Sequence, residues 1–454
     1  MEQFPSEFIL RIKKQFDDAD AFLEGLQRNA VLSVRMHPLR QHHNLPLSEV
    51  VPWCPDGYYL SQKPRYTLNP LFHCGNFYPQ EASSMFLWQV LQRVKPMLPH
   101  QPVVLDLCAA PGGKSTLMAS FFKEEGLLVS NEVIRSRAWI LRENIIKWGY
   151  ANCMVTNNDP ADFKKLPGLF DVLLLDAPCS GEGMFRKDAS AMREWSVQNA
   201  ELCAQRQRRI IMDAWDCLRE DGILIYSTCT FNPAENEENM RWLQQQANVE
   251  FIDVEVDVNW GLERVDFEHG CGYAFYPHRV LGEGFFVAVL QKKESARNHR
   301  IKPAKNEKGL INMEFPHHLV NPGFDFKALP LKEQVVLLPS VLMTQMQWIS
   351  SVLNVLHQGV SLGSPGRKEF MPSPELPFSL HCAHHAFPEI DLDLSDALQY
   401  LKGGWSAQVP PTGGWHVVRF DNSPLGLIKV IGSRVNNYYP KEWRIRMNID
   451  DAFL

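Results

Sequence analysis

The ten cysteines of this 454-residue chain, at positions 54, 74, 108, 153, 179, 203, 217, 229, 271 and 382, include no Cys-x-x-Cys pair and no repeated spacing. A disulfide framework is therefore unsupported, and reduced thiols fit best. Positive charge is not in excess either, with 46 Lys+Arg against 52 Asp+Glu and a net charge of -6. A protein coated in positive charge is excluded, so any nucleic-acid contact must come from local basic patches. No uncharged apolar run approaches membrane-spanning length, and the start Met1-Glu-Gln-Phe-Pro5 has no basic region followed by an apolar stretch. A cytoplasmic protein without a membrane partner is expected. Internal repeats and low-complexity tracts are missing as well. What remains, 45% hydrophobic and 22% charged, is the composition of a soluble globular protein, long enough for roughly two to four domains.

Residues 1–100 read as an N-terminal extension, an RNA-binding or lid region that opens with an amphipathic helix from about Phe8 to Leu26. From Pro102 the pattern becomes regular: short β-branched or leucine-rich runs alternate with helical segments, as in a parallel α/β sheet. Strands are expected at Val103–Leu107, Leu127–Asn131, Cys153–Asn157, Asp171–Asp176, Gly222–Ser227 and Phe285–Leu290, and helices at about Ser115–Lys123, Arg135–Trp148 and Val197–Arg219. This catalytic unit spans 101–292. A basic linker follows over 293–308, then an accessory region over 309–390. The tail, 391–454, holds one helix, Ser395–Leu401, and short strands such as His416–Phe420 and Leu425–Ile431.

Leu105-Asp-Leu-Cys-Ala-Ala-Pro-Gly-Gly-Lys-Ser115 falls where the first strand should turn into a helix. Gly112 and Gly113 let backbone approach a ligand, and a helix N-terminus beyond them offers free N–H groups. The segment is neither a Walker loop nor a Gly-x-Gly-x-x-Gly fingerprint, which weakens a phosphate reading. Glu132 after the second strand can accept hydrogen bonds from two ribose hydroxyls, and Asp159 after the third lies where a base could sit. An adenosine cofactor without phosphates is suggested, and S-adenosylmethionine is the common one. Each acid alone reads better as a loop charge or helix cap; the set reads as a site.

Asp176-Ala-Pro-Cys179 ends the fourth strand and Ser227-Thr-Cys229 the fifth, which puts an acid and two thiols on neighbouring strand ends. That set suits cytosine, whose carbon 5 is a poor nucleophile until a thiolate adds at carbon 6 and an acid binds ring nitrogen 3. A single strand-end cysteine is more often a buried apolar residue; the second, motif-embedded thiol removes most of that advantage. Which thiol attacks is left open by the residues alone.

Cys108-Ala-Ala-Pro-Gly-Gly-Lys114, Asp176-Ala-Pro-Cys-Ser-Gly-Glu-Gly183 and Ser227-Thr-Cys-Thr-Phe-Asn-Pro-Ala-Glu-Asn236 together resemble the Sun-type RNA 5-methylcytosine methyltransferases, over roughly residues 30–292. Within them the chain looks most like the bacterial branch that modifies small-subunit (16S) ribosomal RNA, and Pro424–Pro440 resembles a PUA-like RNA-binding module. The resemblance implies an α/β fold: a Rossmann-like class I S-adenosylmethionine-dependent methyltransferase sheet with an N-terminal α+β extension and C-terminal α+β and β-rich, PUA-like RNA-binding domains. It implies Cys229 as nucleophile, Cys179 as the group that assists release of the methylated RNA, and Asp176 as the acid on ring nitrogen 3. It also implies a cofactor cradle of Cys108, Ala109, Ala110, Pro111, Gly112, Gly113 and Lys114, with Asp176 beside it; Glu132 on ribose and Asp159 near adenine rest on position. The partner is RNA, either ribosomal RNA or the assembled small subunit.

Methylation of an exocyclic amine is disfavoured, because Asp176-Ala-Pro-Cys179 stands where such enzymes carry Asp/Asn-Pro-Pro-aromatic. A non-catalytic ribosome-assembly factor is a further alternative, against which the intact acid and thiols count. His381-Cys-Ala-His-His385 lacks a second ligand cluster, so no metal is expected. Arg206, Arg208 and Arg209 suggest a solvated helix face or an RNA track, and Lys187 a phosphate contact or a loop charge. Lys429, Arg434, Lys441, Arg444 and Arg446, interleaved with Tyr438, Tyr439 and Trp443, form the better RNA-contact set, with an aromatic core as the competing account.

Overall fold

A computed structural model describes residues 4–40, 45–295, 315–331 and 333–449. Most of the expected basic linker, from 296 to 308, lies outside the described residues, as do 309–314.

The leading helical pattern forms two helices rather than one, α1 (Ser6–Gln15) and α2 (Ala19–Gln27). Phe16 between them is extended, and the bend lets its ring stack on Phe22 at 4.8 Å. Phe8 and Ile12, one helical turn apart, are fully buried. Each such burial stabilises the packing by roughly 1.5–3 kcal/mol. The extension continues as a four-stranded antiparallel sheet that includes Ser33–Met36 and Phe77–Pro79.

The central sheet contains β1 (Val103–Asp106), β2 (Leu127–Asn131), β3 (Cys153–Thr156), β4 (Phe170–Asp176), β5 (Leu218–Thr228) and β6 (Phe285–Lys292). β1 to β4 are almost wholly buried, which explains why they read as continuous apolar runs: helices cover both faces. Their order is β3-β2-β1-β4-β5, all parallel, with β6 antiparallel beside β5. Strand order reverses between β1 and β4, so the ligand crevice lies outside their carboxyl ends. Helix α3 (Gly113–Phe122) follows β1 and α4 (Arg135–Trp148) follows β2. The helix expected to run to Arg219 stops at Trp215, because Phe170 N bonds to Cys217 O at 3.0 Å and Leu218 already pairs with Phe170.

The accessory region is not separate from this sheet. Its strand β7 (Val355–Gln358) pairs antiparallel with β3, matching Val355 to Thr156 and Gln358 to Met154. Met346 and Ile349 of the preceding helix, Met343–Val352, are fully buried in the core that holds Met154 and Phe163. The β-rich tail forms a four-stranded sheet of Glu389–Asp391, Gly414–Phe420, Ser423–Ile431 and Arg434–Asn437. Tyr439 and Trp443 are only 2% and 8% exposed and pack with Tyr400 and Leu401, so they are core residues rather than platforms for RNA bases. Tyr438 is half-buried against Trp415 at 4.6 Å.

Candidate active site

β1 ends at Asp106, and the chain turns through Cys108–Gly112 before α3 begins at Gly113. Gly112 has φ 117°, a conformation that a side chain would strain. The turn is held from α4, where Arg137 donates to Ala110 O at 2.7 Å and Asn144 to Pro111 O at 2.8 Å. Cys108, Ala109, Ala110, Pro111, Gly113 and Lys114 line a cleft of about 180 Å³ together with Asp106 and Asp176. Tyr78, Gln80 and Glu81 of the N-terminal extension form the facing wall. Asp106 is a site residue that motif reading missed. Its Oδ2 accepts from Ser115 Oγ at 2.6 Å, its Oδ1 is buried without a partner among the described residues, and burial pushes its carboxyl up to about 7 against that hydrogen bond.

Glu132 and Asp159 stand at the ends of β2 and β3 but do not line this cleft. The buried Glu132 accepts from Ile134 N at 2.9 Å and lies 3.5 Å from Arg137 Nη1. Asp159 is exposed and caps Pro160–Lys165 by accepting from Ala161 N at 3.0 Å.

The two motif cysteines meet. Cys179 Sγ and Cys229 Sγ are 3.1 Å apart, and both are free thiols. Asp176 lies on the same edge, where its Oδ1 accepts from Ser227 Oγ at 2.8 Å and its Oδ2 pairs with Lys114 Nζ at 2.8 Å. Burial pulls the Lys114 ammonium down, but the charge and hydrogen bond of Asp176 outweigh it and leave the ammonium above its ordinary value. The thiols differ in electrostatics. Cys179 is pushed well up, first by its hydrogen bond to Cys229, then by burial and by the negative charge on Cys229. Cys108 is pushed up by burial and by the carboxylates of Asp106, Glu132 and Asp176, which makes it an inert neutral thiol.

Two further acids that motif reading left without a role tie the cysteine segments together. Glu235 accepts from Ser180 N at 2.9 Å and Gln207 Nε2 at 3.0 Å, and also from the Ser180 hydroxyl; burial pushes it up to about 7. Glu182, fully buried, accepts from Trp195 Nε1 at 2.9 Å and Phe231 N at 3.3 Å. Between them Gly183 N donates to Cys229 O at 2.9 Å. A Cβ on Gly183 would sit 2.8 Å from that oxygen, so the approach requires glycine.

The remaining candidates are placed elsewhere. Lys187 Nζ is 3.6 Å from Glu283, which also pairs with Arg186 at 2.7 Å. Arg208 donates to Asn239 Oδ1 at 2.7 Å, whereas Arg206 and Arg209 are exposed. His381 pairs with Glu124 at 3.2 Å and stacks on Phe324 at 3.8 Å; among the described residues no group of three or more His, Cys, Asp or Glu side chains could hold a metal ion. Among them, too, no helix is long and apolar enough to cross a membrane.

The β3-β2-β1-β4-β5 order with antiparallel β6, and a glycine turn closing β1, define a class I methyltransferase fold. Two solved structures from Pyrococcus horikoshii share it. One is NSun6 with the S-adenosylmethionine analogue SFG, at 22% identity and TM-score 0.54 over 64% of this chain and 99% of that chain. The other is a methyltransferase homolog protein, at 26% identity and TM-score 0.51 over 61% and 91%. Residues 96–291 match the family described as 16S rRNA methyltransferase RsmB/F, 4–82 the N-terminal domain of 16S rRNA methyltransferase RsmF, and 387–445 the methyltransferase RsmF PUA domain. The ribosomal RNA small subunit methyltransferase F proteins of Salmonella heidelberg (strain SL476) and Salmonella enteritidis PT4 (strain P125109) are 31% identical over 475 residues, covering 97% of this chain and 96% of each relative. The chain belongs to the RsmF family of ribosomal RNA methyltransferases.

Proposed function

We propose that the protein methylates carbon 5 of cytosine in small-subunit ribosomal RNA, with S-adenosylmethionine as donor and a transient bond between Cys229 and the base. The observation that carries this reading is the 3.1 Å pair of thiols beside Asp176 at the edge of the cleft. A single nucleophile would need one thiol; addition followed by elimination needs a nucleophile and a second group to handle a proton.

The cleft residues fit the cofactor. Among the described residues Asp106 Oδ1 is buried and unpartnered and suits an ammonium group, and the Gly112–Gly113 turn admits a ligand close to backbone; Glu132 and Asp159, outside the cleft lining, follow the next two strands as the candidates for ribose and adenine. When bound, S-adenosylmethionine supplies an electrophilic methyl group.

The thiol proton of Cys229 passes to the Asp176 carboxylate, the sulfur adds to carbon 6, and Asp176 donates that proton to ring nitrogen 3, which takes up the charge that develops there. Carbon 5 becomes nucleophilic and gains the methyl group. Cys179, its own proton released to solvent, then takes the proton that carbon 5 sheds, the carbon–sulfur bond breaks as ring nitrogen 3 returns its proton to Asp176, and Cys229 leaves as thiolate. The electrostatics support this division. Its hydrogen bond to Cys229, together with burial, pushes Cys179 up and keeps its proton in place while Cys229 adds. Once Cys229 is bonded to carbon, it no longer accepts the Cys179 hydrogen bond, and Cys179 can give up its proton before it takes the one from carbon 5.

The target must leave any base-paired stack to reach the thiols, so the non-catalytic parts of the chain serve to hold looped or flipped RNA. Small subunits lacking the modification, incubated with the protein and labelled S-adenosylmethionine, should acquire label on cytosine carbon 5 by digestion and mass spectrometry. Label found only elsewhere refutes the reading. Cys179→Ala should accumulate a covalent protein–RNA adduct on denaturing gels and Cys229→Ala should give none; the reverse pattern exchanges their roles.

A further inference from the structure

We infer that Arg11 on helix α1 is a positioning residue of the reaction: through Glu182 it holds the segment carrying Cys179 against the segment carrying Cys229. Glu182 lies three residues after Cys179, and Phe231 two residues after Cys229. Arg11 reaches both. Its Nη2 donates to Glu182 Oε2 at 2.6 Å and its Nη1 to Phe231 O at 3.4 Å, while Gln15 Nε2, one helical turn on, donates to the same carbonyl at 3.0 Å. Glu182 Oε2 in turn accepts from Phe231 N, so one guanidinium and one carboxylate close a ring across the two segments.

The strut is anchored at both ends. Phe8, on the same face of α1, packs 5.1 Å from Phe185 and 5.6 Å from Trp195, and Trp195 also donates to Glu182. Glu182 is fully buried, and burial raises its carboxyl while the Arg11 charge opposes that rise. A buried carboxylate whose cation is removed must protonate or move, and either changes the spacing of the segments it joins. Arg11 touches neither thiol; it acts through Glu182 and the Phe231 backbone.

The inference rests on Cys179 and Cys229 being the reacting pair, so its test needs a readout independent of methyl transfer. Diamide oxidises two adjacent thiols to a disulfide, taking their two electrons and two protons, and the rate reports how often the sulfurs meet. In the full-length protein, Arg11→Met should slow formation of the Cys179–Cys229 disulfide, followed by peptide mapping, and lower kcat roughly tenfold, with KM for S-adenosylmethionine unchanged. Arg11→Lys should recover part of both rates, because an ammonium can pair with Glu182 but lacks the fork that also reaches Phe231 O. Wild-type disulfide and turnover rates in Arg11→Met overturn the inference, as does a kcat loss that tracks a lower urea midpoint while the disulfide rate is unchanged. Methyl transfer to carbon 5 surviving in Cys229→Ala would instead refute the attacking role given to that cysteine, and the disulfide rates would still decide the role of Arg11.

Discussion

The N-terminal extension and the C-terminal region are both additions to one sheet and touch each other, with Asn76 donating to Ser423 Oγ at 2.7 Å, yet among the described residues only the first lines the cleft. The N-terminal part reaches the reacting edge: Gln80 and Glu81 wall the cleft, and Arg35 braces the start of α3. The C-terminal part attaches beyond β3, with β4, β1, β2 and β3 between its strand β7 and β5. At about 4.8 Å per strand that is a separation of roughly 24 Å from the Cys229 strand. Position in the sheet thus separates an addition that lines the cleft from one that lies far from the thiols.

The strongest challenge to that contrast is Arg35→Met. The fully buried guanidinium donates to Gln80 Oε1 at 2.8 Å and Thr116 Oγ1 at 2.6 Å and lies 4.6 Å over the Trp148 ring. Its loss should cost about 4 kcal/mol in urea denaturation and lower kcat with it. A cost near zero would make the N-terminal extension peripheral. Next in size is Glu235→Gln, which isolates a latch supplied by neither appendage. Burial raises Glu235 from 4.5 to about 7. Between those values the unfolded chain releases its proton before the folded chain does, so wild-type stability should fall as pH rises, by up to about 3 kcal/mol. The glutamine variant should lose the Glu235 share of that slope when denaturation is compared from pH 5 to pH 8, the remainder staying with Asp106, which burial also raises to about 7; an unchanged slope would show that Glu235 contributes none of it.

A smaller effect is expected from the tail. Replacing the exposed Arg434, Lys441 and Arg446 together by alanine should weaken RNA binding and reduce the slope of log affinity against log salt by about 2, with kcat at saturating RNA intact. A fall in that kcat would erase the division between the two regions. Least of all, Lys429→Ala, which breaks the pair with Glu369, should shift stability by under about 1 kcal/mol in the same denaturation assay.

Local signals explain what could be read in advance. Leu127–Asn131 and Arg135–Trp148 form where expected, because a buried apolar run and a helix that stops at Gly149, with φ 88°, are written in neighbouring residues. The adjacency of Cys179 and Cys229 follows from two motifs closing paired strands. Arg11 and Glu182 are 171 positions apart and Arg35 and Thr116 are 81, and neither arginine sits in a motif. A buried arginine looks like a surface one until its acceptors are folded around it. The break at Phe16 escaped for the same reason, and the choice between an aromatic core and RNA contact for Tyr439 and Trp443 stayed open in the sequence, since tertiary packing rather than periodicity decides both.

The pairing of β7 with β3 also orders events during synthesis. Translation delivers Cys229 well before Val355, so all the residues of the thiol centre have left the ribosome while the β3 edge still shows unpaired N–H and C=O groups. At about 5–20 residues per second that interval lasts from several seconds to some tens of seconds. A nascent chain stalled within it holds every reacting group yet presents an open edge to which another strand can add, so the last strand to arrive acts as the guard of a sheet whose chemistry was delivered first.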